Sequence, residues 1–198
     1  MGIVFGRITV ETPKYDVVKT LPDNIEVRKY APVVAATVTM KESTRDAEGN
    51  AFRSLARYIG VFGSPQNEKS SEIAMTAPVV TSTKKSEEIA MTAPVNTQGQ
   101  DMSFLLPSKY TLETAPKPID PDVRLHELPT RYEAVMVFSG TATSKYAEEM
   151  ATKLRSVLEK KGEEHGIRIK GDWYLARYNP PFSLPMFKTN EIHFPVQV

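Results

Sequence analysis

The chain has 198 residues and a formal net charge of +1, so no strong field steers it toward nucleic acid or an anionic membrane. It contains no cysteine, which excludes disulfides, thiolate nucleophiles and thiolate metal ligands together. With 40% hydrophobic and 25% charged residues it has the make-up of a soluble globular protein, long enough for one sizeable core or two small halves sharing one.

Met1-Gly2-Ile3-Val4-Phe5-Gly6 lacks the basic start and long apolar run of a secretory leader, and a myristoyl acceptor would want Ser or Thr where Gly6 stands. No apolar run approaches the roughly 18 residues of a membrane-spanning helix. Tyr15–Lys19, Ile25–Tyr30 and Val33–Met40 are predicted strands, divided by Leu21-Pro22-Asp23-Asn24 and Ala31-Pro32. In the second, Ile25, Val27 and Lys29 share one face, and Glu26, Arg28 and Tyr30 the other, with Lys29 snorkelling from the strand end. Ser43-Thr44-Arg45-Asp46 predicts a helix start of the Ser-x-x-acid kind. Ala51, Phe52, Leu55, Ala56 and Ile59 follow at helical spacing, and Gly60 stops the helix. Arg53 and Arg57 stand one turn apart beside that stripe, as either a solvated basic edge or an anion clamp next to an apolar groove.

Glu72-Ile73-Ala74-Met75-Thr76-Ala77-Pro78-Val79 then returns unchanged sixteen positions later as Glu88-Ile89-Ala90-Met91-Thr92-Ala93-Pro94-Val95. Each copy predicts a short apolar strand broken at its proline, the pair making two edge strands of a hairpin. The sharper alternative sets Met75 and Met91 over a ligand surface, as soft and adaptable side chains. Asp101–Leu106 is a further strand, and the proline-rich 115–121 a stiff connector. Strands Val123–Leu128 and Glu133–Ser139 follow, then a helix over Ser144–Lys161 capped by Gly162, and strands Asp172–Tyr178 and Asn190–Val196. Strand–strand–helix–strand–strand thus occurs twice. It predicts an α+β fold of pseudo-two-fold symmetry, with two helices flanking one curved antiparallel sheet or barrel.

The chemistry-bearing residues give no catalytic signature. His126 faces away from Val123 and Leu125, His193 away from Ile192 and Phe194, and His165 sits in a turn. No two of them have metal-ligand spacing. His126-Glu127-Leu128-Pro129-Thr130 opens like a zinc-protease helix, but Thr130 replaces the second histidine and Pro129 breaks the helix. Phosphate-loop and nucleophile-elbow patterns are both missing, while a Ser-His-carboxylate set assembled from distant positions stays open.

Several motifs together resemble the SOUL haem-binding protein family. They are Ile25-Glu26-Val27-Arg28-Lys29-Tyr30-Ala31-Pro32, the Ala-Met-Thr-Ala-Pro-Val copies, Met102-Ser103-Phe104-Leu105-Leu106-Pro107 and Asn190-Glu191-Ile192. Leu175-Ala176-Arg177-Tyr178-Asn179-Pro180-Pro181-Phe182-Ser183-Leu184-Pro185-Met186-Phe187 looks like the plant and algal cytosolic branch. The likeness runs from about Val4 to Val198, as one domain with halves of about 15–107 and 123–198. It implies a pseudo-symmetric β-barrel with two helices, and non-catalytic binding of haem or metal-free porphyrin as a carrier or buffer in the cytoplasm. The family's first helix lines its pocket, which maps Phe52 and Ala56 to apolar positions and Arg57 to a basic one. A second basic position falls on Gly49, so Arg53 would substitute. Phe52, Arg53, Ala56, Arg57, Met75 and Met91 are therefore the expected ligand contacts. Some members carry a histidine proposed as an iron ligand; Lys29 stands there, so no dedicated metal site is expected. The expected partner is a tetrapyrrole, with no nucleic acid and no integral membrane span. The competing readings are a hydrolase-like enzyme on a GyrI-like scaffold and a protein-interaction module.

Overall fold

The computed structural model describes residues 8, 10–42, 44–61, 63–82, 100–179 and 183–198. The first half contributes β1 (Tyr15–Leu21), β2 (Ile25–Tyr30), β3 (Val33–Met40), α1 (Arg45–Ile59), β4 (Val79–Ser82) and β5 (Gln100–Leu105). The second contributes β6 (Val123–Leu128), β7 (Arg131–Ser139), α2 (Ser144–Lys161), β8 (Arg168–Ile169), β9 (Tyr174–Arg177) and β10 (Thr189–Gln197). One antiparallel sheet runs β1-β2-β7-β10-β9-β4-β5-β3-β6, with the short β8 beside β10. Between β2 and β6 this order is a palindrome: exchanging β2 with β6, β3 with β7, β4 with β9 and β5 with β10 reproduces it. The duplicated ββαββ pattern is thus the topology itself, and the β2–β7 and β3–β6 pairings interlock the two halves.

Both helices lie on one face of the curled sheet, and the period-two alternation of the strands explains why. Val34, Ala36, Val38 and Met40 of β3 and Met102 and Phe104 of β5 point to α1, meeting Ala51, Leu55, Ala56 and Ile59 in one core. Ala134, Met136 and Phe138 of β7 and Ile192, Phe194 and Val196 of β10 point to α2, meeting Ala147, Ala151, Leu154 and Leu158 in a second. Leu55 has no exposed surface. Leu55→Ala is expected to destabilise the fold by about 3 kcal/mol, the scale of a buried Leu-to-Ala cavity, read as a lowered urea midpoint with an unchanged slope.

The helix termini depart from expectation in instructive ways. The N-cap of α1 is Thr44, one residue beyond the Ser43 start, and its hydroxyl accepts from the Ala47 N–H at 3.2 Å. Gly60 ends α1 with a left-handed φ of +94°. Gly162 at the end of α2 instead keeps a right-handed conformation, and the left-handed turn comes at Gly166. Glycine is needed at 162 because a Cβ there would lie 2.3 Å from the Leu158 carbonyl oxygen and 2.7 Å from that of Ile167.

The first repeat copy is not the edge strand its sequence predicts. Residues 72–78 form an extended strap: the Ile73 N–H donates to the Ile59 carbonyl, and the Ala77 N–H to that of Glu11. Those bonds occupy the backbone groups that a ladder would use, and Pro78 has no N–H to offer. The strand begins only at Val79, and it is central, between β5 and β9. Its sequence-adjacent partner is β5; the second copy lies outside the described residues.

Candidate functional site

Opposite the helices, the curl of the sheet encloses a cleft of about 520 Å³, a volume in the range of small-molecule sites. Tyr30 of β2, Val80 of β4, Leu105 of β5 and Leu128 of β6 all line it, so strands far apart in the order face one another across the same space. Pro78, Trp173 and Pro195 complete largely apolar walls. The floor is different in kind. Arg131 and Glu133 on β7, and Glu191 and His193 on β10, are each two residues apart and so share the concave face. Arg28 and Tyr30 of β2 stand opposite Glu133 and Arg131 in the ladder.

These side chains make one buried ion network. His193 sits between two carboxylates, its Nδ1 2.9 Å from Glu133 Oε2 and its Nε2 3.0 Å from Glu191 Oε2. Arg28 donates through Nη1 to Glu191 at 2.9 Å and through Nε to Glu26 at 2.7 Å. Arg131 Nε donates to Glu133 at 2.7 Å, and the Tyr178 hydroxyl to Glu191 at 2.6 Å. Glu133, Glu191, His193 and Arg28 are all at most 5% exposed. Burial alone would push the imidazole's pKa down, but its hydrogen bonds to Glu133 and Glu191 outweigh that and hold it above the ordinary value. Burial alone would likewise raise both carboxyls; the hydrogen bond and charge of His193, with the adjacent arginine, bring each down to about 2.

Protonated His193, Arg28 and Arg131 thus balance Glu26, Glu133 and Glu191, three cations against three anions. With both ring nitrogens donating, His193 has no lone pair for a substrate proton. The arrangement is a charge clamp between strands rather than a general base. Among the described residues, Nη1 of Arg131 is buried without a hydrogen-bond partner. Across the cleft, His126 is held below its ordinary pKa by burial and by Arg124, which outweigh Asp101, and so stays neutral.

The profile of the family described as SOUL heme-binding protein matches residues 10–195, nearly the whole chain. The chain belongs to the SOUL haem-binding protein family. No curated protein sequence matches it. Among solved structures, the fold is similar to a hydrolase from Listeria innocua, with a TM-score of 0.55 at 13% identity over 91% of this chain and 94% of that one. An uncharacterized conserved protein from the same organism gives 0.56 at 14% identity, over 87% of this chain and 92% of that one. EcmrR in a complex with DNA gives 0.51 at 8% identity over 87% of this chain, which spans 57% of that EcmrR chain. Such identities speak for the fold alone.

The contacts expected from the SOUL resemblance lie elsewhere on the molecule, on and near α1. Ala56 is fully buried in the core against the sheet, while Phe52 is half-buried, its ring edge-on to Phe104 at 5.4 Å. Arg53 and Arg57 are exposed, and Arg53 donates to Asn50 on its own helix. Met75 is exposed on the strap, and Met91 lies outside the described residues. Lys29 is exposed at the end of β2, 6.0 Å from the centre of the Tyr132 ring. Helix α1 thus brings Phe52, Arg53, Ala56 and Arg57 onto one element, but the cleft is lined by none of them. The sequence did signal the cleft floor weakly: Arg131/Glu133 and Glu191/His193 alternate with apolar neighbours on strands that otherwise bury one side.

Proposed function

We propose that this SOUL-family protein binds haem and related tetrapyrroles without transforming them, as a cytoplasmic carrier or buffer of the plant and algal type. The family match over residues 10–195 is the observation that carries this reading. The residues of the α1 flank suit the ligand chemically. Half-buried Phe52 offers a ring to a flat apolar macrocycle, and the exposed Arg53 and Arg57 offer guanidinium forks to its propionates. Met75 and Met91 would supply adaptable cover from the repeat. When bound, haem would contribute a large apolar face and a metal centre; this chain's own part is contact and charge. With Lys29 where some relatives carry histidine, the binding energy comes from the macrocycle and its carboxylates, so metal-free porphyrin binds about as well as haem.

Titration with hemin and protoporphyrin IX, followed by absorbance, tests this on the wild type, Arg53→Ala and Arg57→Ala. Both ligands should bind with similar affinity. Loss of Arg57 should weaken both by about 1 kcal/mol, the lower end for a charge-assisted contact because the group is exposed and screened. A strong preference for hemin that disappears on changing a single histidine would overturn the ligand-free account of the metal.

A further inference from the structure

We propose that the concave cleft is a second binding site, separate from the α1 flank, for a flat apolar molecule bearing a single carboxylate, which Arg131 receives. The cavity, the stacked floor and the orphan donor each point to a ligand, and none of them depends on the tetrapyrrole reading. The floor presents a planar platform, because the Tyr174 ring stacks on His193 at 4.6 Å and 12°. Trp173 and the walls of Val80, Leu105 and Leu128 give an aromatic skeleton apolar surface to bury.

The polar requirement is specific. A buried donor without a partner is costly, and a ligand oxygen placed on Arg131 Nη1 removes that cost. Guanidinium favours a carboxylate there, because Arg131 spends its fork on Glu133, through Nε, and on Tyr174, and leaves Nη1 unpartnered. The clamp's other guanidinium, Arg28, is committed to Glu26 and Glu191, so Arg131 Nη1 is the donor left for an acid group and a second one finds no cation. One acid group is therefore accommodated and two are not, which distinguishes this ligand from a porphyrin with two propionates.

Trp173 is the only tryptophan of the chain, so its emission reports from the cleft itself. The probes are anthracene-9-carboxylate, its neutral carboxamide and the 9,10-dicarboxylate, each titrated against Trp173 fluorescence. The monocarboxylate should quench at the lowest concentration. Arg131→Gln should weaken it roughly tenfold or more, the scale of a lost charge-assisted hydrogen bond, and leave the amide nearly unchanged. Arg131→Lys, which keeps the charge but not the fork, guards against a folding artefact: with an unchanged thermal melt it should show an intermediate loss for the carboxylate alone. Hemin titrations of both variants should match the wild type, and saturating anthracene-9-carboxylate should not displace hemin. Absence of Trp173 quenching by the monocarboxylate, or equal weakening of acid and amide by Arg131→Gln, overturns the proposal. If the Arg131 variants lose hemin while Arg53→Ala and Arg57→Ala keep it, the cleft is the tetrapyrrole site, and both the separate site and the α1 assignment fall. Loss of hemin only in the α1 variants leaves the cleft proposal standing on its own test.

Discussion

Glu191→Ala will destabilise the protein by about 3–5 kcal/mol, as expected when one partner of a buried ion pair is removed and the other stays charged. Glu191 accepts hydrogen bonds from Arg28, His193 and Tyr178, so its loss strands three donors at once. Arg28 is 3% exposed, and its remaining carboxylate partner, Glu26, is half-buried. Glu191→Gln should cost less, because an amide still accepts through its carbonyl oxygen while losing the charge. The check is chemical denaturation of both variants: a loss under about 1 kcal/mol for Glu191→Ala would mean that water, not protein, satisfies these groups.

The second large effect is a pH window of maximal stability. Glu133 and Glu191 are lowered from 4.5 to about 2 in the folded protein, so their contribution is complete above about pH 4.5 and drains away as the pH falls toward 2. His193 is raised above 6.5, so its contribution is complete below that value and is lost as the pH rises through its folded pKa. Stability should therefore peak between about pH 4.5 and 6.5 and fall on both sides, by up to about 1.4 kcal/mol per pH unit for each group titrating. His193→Gln should remove the alkaline limb and shrink the acid one, because His193 contributes most to lowering both carboxyls. A wild-type protein whose urea midpoint climbs steadily from pH 5 to pH 8 would show that His193 is neutral in the fold.

How much of this could be read in advance varies from residue to residue. The strands around Ile25, Val34, Met102 and Phe194 were legible because burial on one sheet face imposes a period of two that only β structure explains. Both helices were legible from their stripes, and misread only at their ends, where Thr44 rather than Ser43 caps α1 and Gly162 avoids a clash rather than supplying a left-handed turn. The strap over 72–78 was misread because its alternation of apolar residues is that of a strand, whereas its backbone partners, Glu11 and Ile59, are set by tertiary neighbours. Arg57 was visible as a candidate because a helix displays its residues by local geometry alone.

Residue order therefore settled the class of fold, its internal duplication and the placement of His126 and His193 on the sheet face away from the helices, since each depends on neighbours within a few positions. The cleft floor depended on assembly. Arg28, Arg131, Glu133, Glu191 and His193 come from three strands, the bonded Arg28 and Glu191 being 163 positions apart, and their charges acquire partners, and Arg131 its orphan donor, only when the palindromic sheet curls. Electrostatic balance in a buried site is a property of distances through space, and those were fixed by the folding of the two halves into each other.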